Sequence, residues 1–122
     1  MKILFTAFEC APFFKTGGLG DVAGALPKEL AKKGLETIVV LPYFTKMASK
    51  YQDQCEDVLS FSVKVGWRKQ YCGIKKLKDE NVTYYFIDNL YYFDREQLYG
   101  YDDDGERFAF FQQAVIEIGR AS

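Results

Sequence analysis

The sequence of 122 residues contains no histidine. It therefore has no side chain whose ordinary pKa lies near neutrality, and its formal charge is set by 16 Lys plus Arg against 17 Asp plus Glu, a net −1. A charge this balanced gives no reason to expect nucleic acid or anionic lipid as a partner. Cysteine is scarce as well. Cys10, Cys55 and Cys72 are odd in number, unevenly spaced and without a CxxC pair, which argues against a disulfide framework or a zinc site and leaves free thiols as the expectation. No apolar run approaches the roughly 20 residues of a membrane span, and the opening MKILFTAFECAPFF is short and interrupted by Glu9. A cytoplasmic protein with a native start at Met1 is expected. What the sequence has in quantity is hydrophobic residues, 48%, and aromatics, 17%, which exclude disorder and support a packed core in a domain of this size.

Lys2 to Phe8 is a short, mostly apolar run that suits a strand buried on both faces of a parallel sheet. A loop with one proline and three glycines follows, Glu9 to Gly20. From Leu19, apolar positions at Val22, Ala23, Leu26 and Leu30 keep helical spacing as far as a stop at Gly34; Pro27 predicts a kink or a restart within that helix. Glu36 to Leu41 is β-branched and apolar, completing a βαβ unit with a right-handed crossover. The class is α/β. Alternating runs at Val58 to Gly66 and Arg68 to Leu77 predict an antiparallel excursion around residues 58–78. After a turn at Asp79-Glu80-Asn81, Val82 to Ile87 returns to the parallel sheet. Asp88 to Gly105 is expected to be loop. A final helix begins near Asp104, with Phe108, Phe111, Val115 and Ile118 on one face. The amphipathic pattern is still running where the sequence stops at Ser122, and the chain is expected to be part of a longer one.

Residues 1–50 carry 7 basic and 4 acidic groups, against 9 and 13 in the remainder, so an anionic ligand is better hosted by the first part. There the stretch KTGGLGDVAG, Lys15 to Gly24, lies between the first strand and its helix, at the crevice where open parallel sheets bind ligands. Gly17 and Gly18 permit close backbone approach, the helix start offers unpaired N–H groups, and Lys15 adds a cation. Phosphate or diphosphate is the matching ligand; a glycine-rich turn with a solvated lysine is the plain alternative. Gly18-Leu19-Gly20-Asp21-Val22-Ala23 also fits GxGxxA, the fingerprint of a dinucleotide-binding dehydrogenase half. That motif should follow its strand directly, however, and the second strand should end in an acid where this one ends Leu41-Pro42-Tyr43. A Walker A loop fails because Lys15-Thr16 precedes the glycines. Asp102-Asp103-Asp104 fits a DxD metal motif but stands before a helix, where carboxylates are favoured in any case. Trp67 with Arg68, Lys69, Lys75, Lys76 and Lys78 is explained by alternating strands protected with outward lysines.

The run MKILFTAFECAPFFKTGGLGDVAGALPKELAKKG, then TIVVLPYF, FIDN, YFDR, LYGY and DDGERFAFF, resembles the amino-terminal part of bacterial glycogen synthases and plant starch synthases over essentially the whole chain. The resemblance implies a partial Rossmann-like open sheet, the amino-terminal domain of a two-domain GT-B enzyme whose carboxy-terminal nucleotide-binding domain is absent from residues 1–122. It implies retaining transfer of glucose from ADP-glucose to the non-reducing end of an α-1,4-glucan, with no metal and no cofactor. Lys15, Gly17, Gly18 and Asp21 would lie at the donor, Asp21 alternatively serving only the helix dipole. Glu9 and Tyr99 would contact the acceptor glucan, with an exposed loop acid and a structural tyrosine as the alternatives. The family's active site uses a histidine, absent here, so no catalytic residue is expected in this chain and the chain alone is expected to be inactive. A free-standing nucleotide or glucan binding module is the other class that remains open.

Overall fold

A computed structural model describes residues 1–121. Five strands, β1 (Lys2–Thr6), β2 (Glu36–Pro42), β3 (Glu56–Val65), β4 (Arg68–Asp79) and β5 (Val82–Asp88), form one sheet in the order β1-β2-β5-β4-β3. β1, β2 and β5 are parallel, and β3 and β4 add on antiparallel, as the alternating sequence predicts. The turn between β4 and β5 places Glu80 and Asn81 at φ 49° and 67°, two consecutive left-handed residues of the kind that match the strand twist of a tight hairpin. Helix α1 (Gly18–Lys32) covers one face, where Val39, Leu41, Tyr84 and Phe86 are buried with Phe13. Two further helices, α3 (Leu90–Phe93) and α4 (Asp104–Ala121), cover the other over Val40, Ile74 and Ile87.

Several local expectations need correction. β1 is not buried on both faces: among the described residues it pairs with β2 alone, and Lys2, Leu4 and Thr6 are exposed. The segment after β5 is not all loop, because Asn89 caps α3 by accepting from Tyr92 N at 3.1 Å. The short helix α2 (Ser49–Gln52) was likewise not visible in the pattern. The face of α4 is rotated from the one the phenylalanines suggest; Arg107, Phe110, Phe111 and Ala114 are buried, whereas Phe108 is only half-buried.

Helix α1 continues through Pro27 without a break. Proline cannot donate to the carbonyl four residues back, Ala23 O. That carbonyl instead accepts from the buried Cys10 thiol, with Sγ at 3.4 Å, and the thiol also lies 3.3 Å from Ala11 O. Burial pushes the Cys10 pKa up to about 12, so the donor hydrogen is held at any physiological pH.

Candidate functional site

The loop from β1 to α1 is built around one buried carboxylate. Glu9 is 3% exposed and lies three residues beyond the carboxyl end of β1. Its Oε1 accepts from Thr16 N (3.1 Å), Gly17 N (3.2 Å) and Gly20 N (3.1 Å). Oε2 accepts from the Thr16 hydroxyl at 2.7 Å and from the Tyr99 hydroxyl at 2.8 Å. Two features of the chain make this possible. Cys10 and Phe14 exchange backbone bonds (2.8 and 3.0 Å) and fold the loop back on itself, while Phe13 is pinned in the core against Tyr84 and Phe86. Gly20 lets the first turn of α1 approach: a Cβ there would lie 2.4 Å from Lys15 Cβ and 3.0 Å from Glu9 Oε1. Gly24, one turn on, faces Ala11 O at 2.5 Å from its missing Cβ. Sequence reasoning passed over both, although glycines four apart on one helix face signal close approach.

Burial alone would raise the Glu9 pKa. The bonds from Thr16 and Tyr99 and from the backbone at Thr16 and Gly17 outweigh it and bring the value from 4.5 down to about 2. A carboxyl whose folded pKa lies below its unfolded one adds stability that is complete above the unfolded value and disappears as pH falls. Glu9 should therefore contribute about 3 kcal/mol above pH 4.5, lost progressively between pH 4.5 and about 2. Denaturant unfolding across that interval measures it, with Glu9→Gln as the variant in which this part of the acid dependence is missing.

The residues expected at a donor lie on the exposed lip of the same loop. Lys15 Nζ pairs with Asp21 Oδ1 at 2.9 Å, both side chains about half exposed. Gly17 and Gly18 border open space, with nothing within 4 Å of a Cβ at either. Gly18 and Leu19 begin α1, where backbone N–H groups have no intrahelical acceptor. Of these residues Lys15 lines a cleft of about 420 Å³, with Phe14 and Thr16 on the same near wall, Phe44 beside them and the segment Glu96 to Tyr99 as the far wall. Tyr99 is stacked against Phe8, centroids 5.7 Å apart, and its hydroxyl crosses to Glu9. Thus Glu9 and Tyr99, 90 positions apart, are joined directly. Glu9 is not the exposed loop acid of the plain alternative, and both its oxygens are engaged within the chain.

The far wall rests on two arginines the sequence did not single out. Arg95 grips Asp103 through two bonds, 3.0 and 2.8 Å, and Arg107 pairs with Asp104 at 2.8 Å. Two members of the acidic run are thereby committed to arginines, and among the described residues no group of His, Cys, Asp or Glu is arranged to hold a metal ion. A second recess, about 390 Å³ between β3 and the end of α4, is lined mainly by Val58, Leu59, Phe61, Ile74 and Ile118 and offers no basic group. No helix among the described residues is long and apolar enough to cross a membrane.

A mixed open sheet with its glycine loop, helix N-terminus and lysine at the carboxyl ends of parallel strands defines an α/β protein of the class whose ligands bind at that end of the sheet. The particular family is established by comparison: the chain belongs to the starch synthase catalytic domain family, which it matches over residues 2–122. It is 68% identical over 119 residues to a glycogen synthase of Ligilactobacillus salivarius, covering 97% of this chain and 25% of that protein. A glycogen synthase of Streptococcus pneumoniae is 65% identical over 117 residues, covering 96% and 24%. Among solved structures, the catalytic domain of starch synthase IV from Arabidopsis thaliana, bound to ADP and acarbose, superimposes with a TM-score of 0.82 at 30% identity. That match covers 94% of this chain and 24% of the plant one. The chain thus spans about a quarter of the length of these relatives.

Proposed function

We propose that this chain forms one wall of the active-site cleft of a cytoplasmic glycogen synthase with the GT-B arrangement, the opposing nucleotide-binding domain lying outside residues 1–122. The reaction is retaining transfer of glucose from ADP-glucose to the non-reducing end of an α-1,4-glucan. The observation that carries this reading is Lys15 on the wall of the cleft that Tyr99 also lines, with Gly17 and Gly18 following it at the start of α1. A diphosphate seated there meets the first N–H groups of α1 and the Lys15 ammonium, which then exchanges Asp21 for phosphate oxygens. The aromatic face of Tyr99 suits a pyranose ring of the acceptor. Glu9 acts beneath the surface, holding the glycine loop and Tyr99 in one network. Histidine and further donor groups come from the remainder of the enzyme, and this wall by itself does not turn over substrate. The reading assigns the chain no metal, cofactor, nucleic acid or membrane. The dehydrogenase alternative is disfavoured by residues 7–17, which separate β1 from α1, and by β2 ending at Pro42 without an acid for a ribose.

In the intact enzyme Lys15→Ala should raise KM for ADP-glucose about 10- to 100-fold, the loss of one charge-assisted contact. The unfolding midpoint should hardly move, because an ion pair this exposed contributes little to stability. Unchanged donor kinetics would remove Lys15 from the donor site.

A further inference from the structure

Beneath the far wall of the cleft, α4 opens with a charged pair to which the proposed transfer gives no role. Arg107 is fully buried. Its Nε donates to Tyr92 O at 2.7 Å, and its Nη1 donates to Leu98 O at 2.9 Å and to Asp104 Oδ1 at 2.8 Å. Asp104 accepts from Gly100 N through Oδ2 at 2.8 Å and from Tyr101 N through Oδ1 at 3.2 Å. These bonds fall on Leu98, Gly100 and Tyr101, the residues that bracket Tyr99. Gly100 adopts φ 99°, a left-handed conformation that turns the chain sharply after Tyr99 and that side chains other than glycine's resist.

Filling this space is not what the guanidinium does best. Its Nη2 is buried without a hydrogen-bond partner, and its charge lies near the rings of Tyr101, Phe8 and Phe93, at 5.2, 5.6 and 6.0 Å from their centroids. An apolar side chain of similar volume avoids that desolvation. Only a rigid, many-donor fork holds two carbonyls and a carboxylate at fixed angles. The output of the arrangement is the Tyr99 hydroxyl, which crosses the cleft to Glu9 Oε2, while Oε1 of the same carboxylate receives the N–H groups of Thr16, Gly17 and Gly20.

We propose that Asp104 and Arg107 are positioning residues for the cleft: they set Tyr99 and, through its bond to Glu9, the glycine loop on the opposite wall. The contact of this device with catalysis rests on the function proposed above, but the coupling between the walls does not. Asp104→Asn is the suitable variant, since it keeps volume while setting an amide N–H₂ or a single shared oxygen against Gly100 N, Tyr101 N and Arg107. Hydrogen exchange followed by mass spectrometry on the intact protein reads both walls without ligand. Exchange should quicken about tenfold at residues 98–101 and also at 16–20, leaving β2 and β5 unchanged. In a Tyr99→Phe background the added effect at 16–20 should vanish, because the link is already cut. Faster exchange confined to 98–101, or spread equally through the sheet, overturns the proposal. If the walls respond together while KM for ADP-glucose and for glucan stay unchanged, the coupling stands and it is the functional reading of the cleft that fails.

Discussion

Replacing Glu9 by alanine is expected to lower folding stability by about 3 kcal/mol at neutral pH and to abolish the organisation of the cleft, the largest effect of any single side chain in the site. Five donors converge on its two oxygens: three backbone N–H groups, the Thr16 hydroxyl and the Tyr99 hydroxyl. Truncation leaves them facing a void in a site that is 3% exposed, where an unmade hydrogen bond costs more than a made one contributes. Glu9→Gln should fall between the two, because an amide oxygen can still accept from the three N–H groups while its N–H₂ turns toward hydroxyls able to accept. Urea unfolding of the three proteins orders them. A Glu9→Ala protein as stable as the parent would show that the carboxylate is not the organiser of the loop.

Gly20→Ala is expected to destabilise by about 2–3 kcal/mol, although alanine is the better helix former by about 1 kcal/mol. The added Cβ would stand 2.4 Å from Lys15 Cβ, an atom fixed to the backbone that cannot swing aside, and 3.0 Å from Glu9 Oε1. The first turn of α1 must then move off the loop, lengthening the bond from Gly20 N to Glu9 and shifting Lys15 on the lip. Gly119→Ala supplies the contrast. It lies in α4 with nothing within 4 Å of a Cβ, so the same substitution should stabilise by a few tenths to about 1 kcal/mol. Thermal unfolding of the pair checks the opposite signs; two changes of equal sign would mean that helix propensity, not loop contact, decides at Gly20.

Much of this molecule is legible along the chain. Most strand and helix positions follow from apolar spacing, the antiparallel excursion from alternation in β3 and β4, and the loop between β1 and α1 from its proline and glycines. Where the reading missed, the deciding partner was remote. α1 runs on through Pro27, and the carbonyl that proline leaves unpaired, Ala23 O, is met by the Cys10 thiol, 13 positions before Ala23 and on the other side of the loop. α4 turns Arg107 inward instead of Phe108 because Tyr92 O, Leu98 O and Asp104 supply acceptors for a charge that would otherwise stay at the surface.

Residue pattern along the chain was enough for the α/β class and for the order of the five strands with α1 and α4, and it made the loop after β1 the place to expect an anion. These depend on periodicity, β-branching and glycine, which act between near neighbours. It took the folded chain to join Glu9 and Tyr99 in one unit, to set Asp104 and Arg107 behind them, and to make Gly20 and Gly24 points of contact with the loop. The reason is physical: a hydrogen bond or a steric limit between residues up to 90 positions apart is created by sheet order and helix docking, and it leaves no local pattern to read.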